Sequence, residues 1–190
     1  MTRVVPNRFT GYGREVLTNH IGGPTPTLRK WIIPTKTGPE RHVILRDGSI
    51  GFLLAHFVLW WHEVVHPINI GVWDEWGWAD RDVRGMGNVI SEHAGGCAVD
   101  IDATQHPRGI PILRNFKVWQ IAKIRARLLF YSGMLGWGGN YHRVVDGMHV
   151  EFAQGRTLQE AERVAKRLLN SPRGKRILAA NPGAKTVILS

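Results

Sequence analysis

A single cysteine, Cys97, in 190 residues rules out an internal disulfide framework and points to folding in a reducing compartment. Acidic residues are scarce, 15 Asp and Glu against 25 Lys and Arg, which leaves a formal charge of +10. That balance favours an anionic partner such as nucleic acid, anionic lipid or a bacterial wall polymer. No apolar run is long enough to span a bilayer. The longest, residues 50–61, is interrupted by His56 and reads as a buried core helix, so no membrane anchor is expected. The first ten residues carry Arg3 and Arg8 but no apolar stretch of signal-peptide length. Internal repeats, low-complexity tracts and interdomain linkers are lacking too. What is there, an apolar fraction of 43% with eight Trp, suffices for one self-sufficient core.

The first 48 or so residues are rich in Pro and Gly without a sustained period. They read as an extended arm of wrapping loops with one short strand at 41–45. Asp47-Gly48-Ser49 forms a turn and a candidate N-cap for a helix over 50–65, which Pro67 brings to an end. Short β-like pieces follow at 71–84 and 96–102. An amphipathic pattern predicts a second helix from Pro111 to about Tyr131, with Ile112, Phe116, Trp119, Ile121, Leu128 and Leu129 as its apolar members. Residues 133–139 read as a glycine-rich turn and 148–152 as a strand. Thr157-Leu-Gln-Glu160 has the form of a capping box opening a third helix, and Pro172 opens a fourth that ends near Asn181. The fold class expected is α+β, a small antiparallel sheet carrying the chemistry and packed against helices. The chain is expected to be one domain over 1–190: an arm at 1–48, a core at 49–155 and basic helices at 156–190.

Two widely separated segments concentrate chemistry-bearing residues. Ser91-Glu-His93-Ala-Gly-Gly96-Cys-Ala98-Val-Asp100 brings a histidine out of a loop and an aspartate into a strand. Far downstream, Asp146-Gly-Met-His149-Val-Glu151 places another histidine on a second strand. Two His and one carboxylate close three corners of a tetrahedron and leave the fourth for water, the composition of a catalytic zinc site. Strand alternation puts Ala98, Asp100 and Asp102 on one face and Cys97, Val99 and Ile101 on the other. Cys97 then points away from the metal as a small buried residue. His149 and Glu151 also share a face, so Glu151 is a candidate outer partner that orients a ligand.

These motifs resemble the M15 peptidases: zinc D-Ala-D-Ala carboxypeptidases, D-Ala-D-Ala dipeptidases, and L-alanyl-D-glutamate endopeptidases of bacteriophage endolysins. Gly136-Trp-Gly-Gly139 ahead of Asp146-Gly-Met-His-Val-Glu-Phe152 is similar to the ending of the phage and carboxypeptidase branch. Arg84-Gly-Met-Gly ahead of His93 resembles lysin catalytic domains of actinobacterial phages. Gly147 stands where relatives often have Pro, and Val150 where they often have an aromatic residue. The resemblance implies an M15/hedgehog-like peptidase fold, with His93, Asp100 and His149 as ligands to one Zn2+ per chain. It implies Asp146 as general base, and Arg84, or else Arg81, as the group that polarises the scissile carbonyl. Ser91 and His142 are further candidates for the lining of the substrate cleft or the support of the site. Zinc lowers the pKa of a bound water to about 7, within reach of a carboxylate base.

A rival zinc motif, His62-Glu-Val-Val-His66, matches H-E-x-x-H, but Pro67 follows at once where such a helix would continue. The reaction implied is hydrolysis of a peptidoglycan stem peptide, with the L-Ala-D-Glu endopeptidase of a phage endolysin as the leading form. A D-Ala-D-Ala carboxypeptidase or dipeptidase is the alternative, and a non-catalytic wall-binding or structural module with a vestigial zinc site is a third. Between Arg156 and Ser190 eight Lys or Arg face two Glu, which favours contact with anionic wall polymers over nucleic acid, for which no motif is present. The phage reading implies synthesis in the host cytoplasm, holin-dependent release and action on the cell wall.

Overall fold

The computed structural model describes residues 3–189; residues 1, 2 and 190, the ends of the expected arm and of the basic C-terminal segment, lie outside it. The strand expected at 41–45 is present with one more residue, and three further strands accompany it. β1 (Val4–Phe9) pairs antiparallel with β2 (Glu15–Leu17), and β3 (Leu28–Ile33) with β4 (Arg41–Arg46). The Pro and Gly that suggested loops sit largely in the connections between these strands. Leu28, Trp31 and Ile33 of β3 and Val43 and Leu45 of β4 point inward.

Helix α1 (Ser49–Val64) is the centre of the molecule. Every residue from Ser49 to Trp61 is buried, because the segment is apolar around its whole circumference and so can only lie in a core. Each fully buried Leu or Phe there contributes about 1.5–3 kcal/mol. The expected N-cap is not used. Gly48, at φ 87°, makes the turn, and the Asp47 carboxylate accepts from the Gly48 N–H (2.8 Å), while the Ser49 hydroxyl is buried without a partner.

A three-stranded antiparallel sheet packs on this helix. It consists of β5 (Ala98–Asp100), β6 (Leu135–Trp137) and β7 (His149–Phe152), in the order β5-β7-β6. The glycine-rich segment expected as a turn therefore supplies a strand before its turn. The single helix expected from Pro111 is interrupted: α2 (Ile112–Asn115) stops, Phe116 is extended, and α3 (Val118–Phe130) restarts. The cause is tertiary. Phe116 turns into the core, stacks on His106 at 3.8 Å between centroids, and meets Trp61 and Trp137 edge-on. The inward face of α3 is Ile121 and Ile124, whereas Trp119 and Leu129, expected on it, are exposed. Residues 71–84 form no strand; they touch their neighbours through single bridges, Trp76 to Asp100 and Asp82 to Ile90.

Helix α4 (Leu158–Leu168) opens with the expected capping box between Thr157 and Glu160, and α5 (Pro172–Ala180) begins at Pro172. A further short helix, α6 (Ala184–Leu189), follows. All three pack against α1. The architecture is α+β with small antiparallel sheets against helices. None of the described helices is long and apolar enough to cross a membrane.

Inside α1, His56 is 1% exposed and bonds through Nδ1 to the Tyr131 hydroxyl (2.8 Å) and through Nε2 to Ser171 Oγ (3.3 Å). Burial, reinforced by Arg127, depresses its pKa from 6.5 to about 3. Acidification below pH 6.5 therefore protonates His56 in the unfolded chain before it does so in the native one. Stability is lost from that point down to about pH 3, at a slope of ~1.4 kcal/mol per pH unit for one proton. His56→Gln should flatten this acid slope in denaturant titrations between pH 6.5 and 4. An unchanged slope would assign the acid sensitivity elsewhere.

Candidate metal and catalytic centre

The pairing of β5 with β7 sets Asp100 opposite His149. His93 arrives from a short 3-10 turn, Glu92–Gly95, which Ser91 caps by accepting from the His93 N–H (3.4 Å). Gly96, at φ 66°, ends that turn; a Cβ there would lie 2.5 Å from the backbone nitrogen of Arg46, so the chain passes under the site only as glycine. His93 Nε2 lies 3.2 Å from Asp100 Oδ1 and 3.2 Å from His149 Nδ1, and His149 Nδ1 lies 2.9 Å from Asp100 Oδ1. A tetrahedral zinc with ligand bonds near 2.0–2.1 Å has edges of about 3.3 Å, so this triangle of donors fits one face of such a polyhedron.

The outward nitrogens of both histidines are held. His93 Nδ1 donates to the Gly77 carbonyl (2.5 Å), leaving Nε2 for a metal. His149 Nε2 donates to Glu151 Oε2 (3.2 Å), leaving Nδ1. Glu151 is itself held on its other oxygen by the hydroxyls of Tyr12 (2.8 Å) and Tyr141 (2.5 Å). Such outer partners fix the tautomer and the ring plane of metal-binding histidines. Burial opposes ionisation of Asp100, but His93 and His149 outweigh it and hold its carboxyl far below the usual range. Burial likewise opposes charge on His149, yet hydrogen bonds to Asp100 and Glu151 push its pKa up to about 10. A metal ion taking Nδ1 would displace that proton. Burial and the nearby Glu151 raise the pKa of Tyr12 and of Tyr141, so both stay protonated donors to the carboxylate.

The triad opens onto a cleft of about 1080 Å³. Asp146 sits in its wall, buried, with Oδ2 3.5 Å from Arg108 Nε and Oδ1 without a partner. Burial raises its pKa, with Asp100 adding to the effect while His149 and Arg108 oppose it. Close backbone contact positions it. The Asp146 N–H donates to the Gly138 carbonyl (3.0 Å), and a Cβ on Gly138 would come within 2.4 Å of the Asp146 carbonyl oxygen. Gly147 is explained as well: a side chain there would meet the Phe116 ring at 2.7 Å.

Of the two arginines considered for the carbonyl-polarising role, Arg81 touches the triad, 3.4 Å from Asp100 Oδ2, and Arg84 lines the same cleft; both side chains are exposed. His142 and Ser91 also line the cleft. Cys97 faces the core, fully buried, with its thiol pushed up to about 11 by burial. Asp102 does not share the Asp100 face as strand alternation implied. β5 ends at Asp100, and Asp102, at φ 50°, turns its carboxylate to the Trp61 indole N–H (2.7 Å). Trp73 and Trp76 are exposed by 42% and 51%, and Trp76 forms part of the cleft wall.

The rival histidine pair is dispersed. Helix α1 ends at Val64, before His66, so the one-turn spacing is lost. His62 Nδ1 accepts from the Ile68 N–H (3.2 Å), Glu63 pairs with Arg173 (2.5 Å) and with Arg176, and His66 lies beside Asp102.

Residues 84–152 match the family model described as D-alanyl-D-alanine carboxypeptidase, of the M15 peptidases. The matched stretch, about a third of the chain, contains all three members of the triad and Asp146, and the family it is similar to is the one the sequence resemblance pointed to. No curated protein and no solved structure matches the chain. Tyr12, Gly77 and Arg81 lie outside the matched segment. Tyr12, between two glycines at a hairpin turn, carries no motif that would have flagged it.

Metal analysis of purified variants tests the ligand set: His149→Ala should lose bound zinc, while His62→Ala should retain about one equivalent per chain. Glu151→Gln should weaken zinc binding by ~10-fold or more while leaving the fold intact, the range typical for loss of an outer partner. Zinc that survives His149→Ala and departs with His62→Ala would move the site to the end of α1.

Proposed function

We propose that this chain is a zinc-dependent peptidoglycan peptidase that cuts the stem peptide at the L-Ala-D-Glu bond, in the manner of a phage endolysin. The observation carrying this reading is the donor triangle with 2.9–3.2 Å edges, opening onto a cleft into whose wall Asp146 is set with Oδ1 unpartnered. The donor set, two imidazoles and one carboxylate, each supported by a second group, suits zinc. Zinc held there would polarise the scissile carbonyl and acidify the attacking water.

The chain's own residues supply the rest. Asp146 Oδ1 accepts a proton from the attacking water and returns it to the departing amine. Arg108 keeps the Asp146 carboxylate oriented through Oδ2. To Arg81, which touches the triad at Asp100, we assign the hydrogen bond to the oxygen that gains charge as the carbonyl is attacked, in preference to Arg84. Arg81, Arg84, Arg108 and Arg143 line the cleft beside four carboxylates, Glu92, Asp100, Asp146 and Glu151, and the guanidinium groups offer partners for a substrate carrying the D-Glu carboxylate. A second reading, hydrolysis at D-Ala-D-Ala, draws on the description of the matched family and on the same arginines, since a terminal carboxylate is also an anion.

The basic C-terminal helices fit a wall-attachment role. Arg173 and Arg176 are tied to Glu63, but Arg163, Lys166 and Lys175 are exposed. Action on the wall after release from the producing cell is the matching localisation.

Digestion of purified peptidoglycan, followed by mass spectrometry, separates the readings. New Glu N-termini on the released fragments mean the endopeptidase, whereas loss of terminal D-Ala means the carboxypeptidase. Asp146→Ala should keep zinc and fold but lose ~10²–10⁴-fold in turnover; near-normal turnover would remove it from the mechanism. Arg81→Ala should cost more turnover than Arg84→Ala. Reversal of Arg163, Lys166 and Lys175 to Glu should weaken sedimentation with intact walls in a salt-sensitive way. Cleavage of a short soluble stem peptide should stay unchanged. Equal loss in both assays would instead place these charges in the support of the fold.

A further inference from the structure

A second group of ligating side chains lies where β5 gives way to the following loop. One carboxylate oxygen from each of Asp74, Glu75 and Asp102 falls within 4.8 Å of the others, and all three residues are buried. Asp74 and Asp102 are anchored. Asp74 Oδ2 accepts from the Thr104 N–H (2.8 Å) and hydroxyl (2.5 Å), and Asp102 Oδ2 accepts from Trp61 Nε1 (2.7 Å). Glu75 is not: it is 5% exposed, and neither of its carboxylate oxygens has a hydrogen-bond partner.

A buried carboxylate without hydrogen bonds is costly, and two more carboxylates beside it add repulsion. Burial, together with Asp102 and Asp74, pushes the Glu75 carboxyl up to about 8. The charge of Arg41 relieves this only in part, and its N–H groups go to the carbonyls of Ile68 (2.8 Å) and Gly71 (3.3 Å) rather than to Glu75. His66 reaches only Asp102, at 3.3 Å.

We propose that Asp74, Glu75 and Asp102 form a second cation site, separate from the cleft triad, for a hard divalent cation of the calcium class. Carboxylate oxygens without sulfur or imidazole donors select such ions over zinc, and the three side chains offer at least one oxygen each, with both Glu75 oxygens unpartnered. The site is placed to brace the cleft. Trp76, next to Glu75, exchanges both backbone hydrogen bonds with Asp100 (2.9 and 2.8 Å), and the Gly77 carbonyl orients His93. A cation joining residues 74 and 75 to Asp102 fastens together the two strips of backbone that hold two of the triad's three members. The inference stands on this cluster alone and does not depend on what the cleft hydrolyses.

Terbium is the probe, since it replaces calcium at oxygen sites and Trp61, bonded to Asp102, is placed to sensitise its emission. Zinc-loaded protein titrated with Tb3+ under tryptophan excitation should show saturable emission at one equivalent per chain, displaced by Ca2+. Glu75→Gln should lower the terbium affinity at least tenfold, whereas His149→Ala should leave it unchanged. Ca2+ should raise the melting temperature of the zinc-loaded wild type but not of Glu75→Gln, and circular dichroism confirms that the variant folds. Should Glu75→Gln not fold, Asp74→Asn takes its place in both assays. Absence of saturable emission, emission indifferent to Glu75→Gln, or emission lost in His149→Ala would each overturn the proposal. In the first two cases the cluster is a set of carboxyls that share protons, and in the third terbium sits in the cleft.

Discussion

The register between β5 and β7 is the constraint on which the centre depends. Asp100 and His149 are 49 residues apart, yet they face each other because Val99 pairs with Val150 and Ala98 with Glu151. A slip of one residue would turn Asp100 and His149 to opposite faces of the sheet. Burial prevents the slip. Val99 and Val150 are fully buried against the core around α1, and Cys97 and Ile101 flank them on the same side. The apolar face thus sets the polar one. The packing that stabilises the domain also brings the Asp100 carboxylate to 2.9 Å from an imidazole.

Around that pair the polar network is drawn from far along the chain. Glu151 is fastened by Tyr12 from the N-terminal hairpin and by Tyr141 from the turn after β6. His93 is fastened by Gly77 from the irregular segment over the sheet edge. The N-terminal hairpin is bound to the 3-10 turn as well: Arg14 pairs with Glu92 at 2.6 Å, and the Tyr12 N–H donates to the same carboxylate (2.9 Å). In a low-dielectric setting such networks rigidify a site when every member is satisfied. The two buried carboxylates with unpartnered oxygens, Asp146 and Glu75, stand out against that background. Both adjoin the frame of the triad, one in the cleft wall and one behind Trp76.

Much of the fold was legible because local signals agreed with tertiary outcome. The fully apolar run of α1, the Thr157–Glu160 capping box, Pro172 at a helix start and the strand carrying His149 all stand as their residues imply. Legibility failed where packing overrode pattern. The amphipathic stretch after Pro111 has enough periodicity for one helix, but Phe116 packs in an extended conformation against Trp61, His106 and Trp137, and the chain breaks there. Residues 71–84 looked β-like through their tryptophans. Trp78 bonds to Ile44 of β4 while Trp76 bonds to Asp100 of β5, and a segment that divides its hydrogen bonds between two strands builds no ladder with either. The loop-like N-terminal quarter hid three strands, since glycine and proline in the connections mask short runs that alternate only over a few residues.

The sequence by itself determined which side chains would form the triad, since the spacing of His93, Asp100 and His149 carries a chemical composition that chance rarely supplies in that order. It determined that Cys97 would face away, because alternation along an extended strand is a property of the backbone alone. Only the tertiary structure decided what surrounds them: the dispersal of His62 and His66, Arg81 rather than Arg84 beside Asp100, the tyrosines on Glu151, and the carboxylate cluster at Asp74, Glu75 and Asp102. Those arrangements depend on contacts between residues tens of positions apart, which have no local period or spacing, and they exist only once burial of the apolar core has brought the segments together.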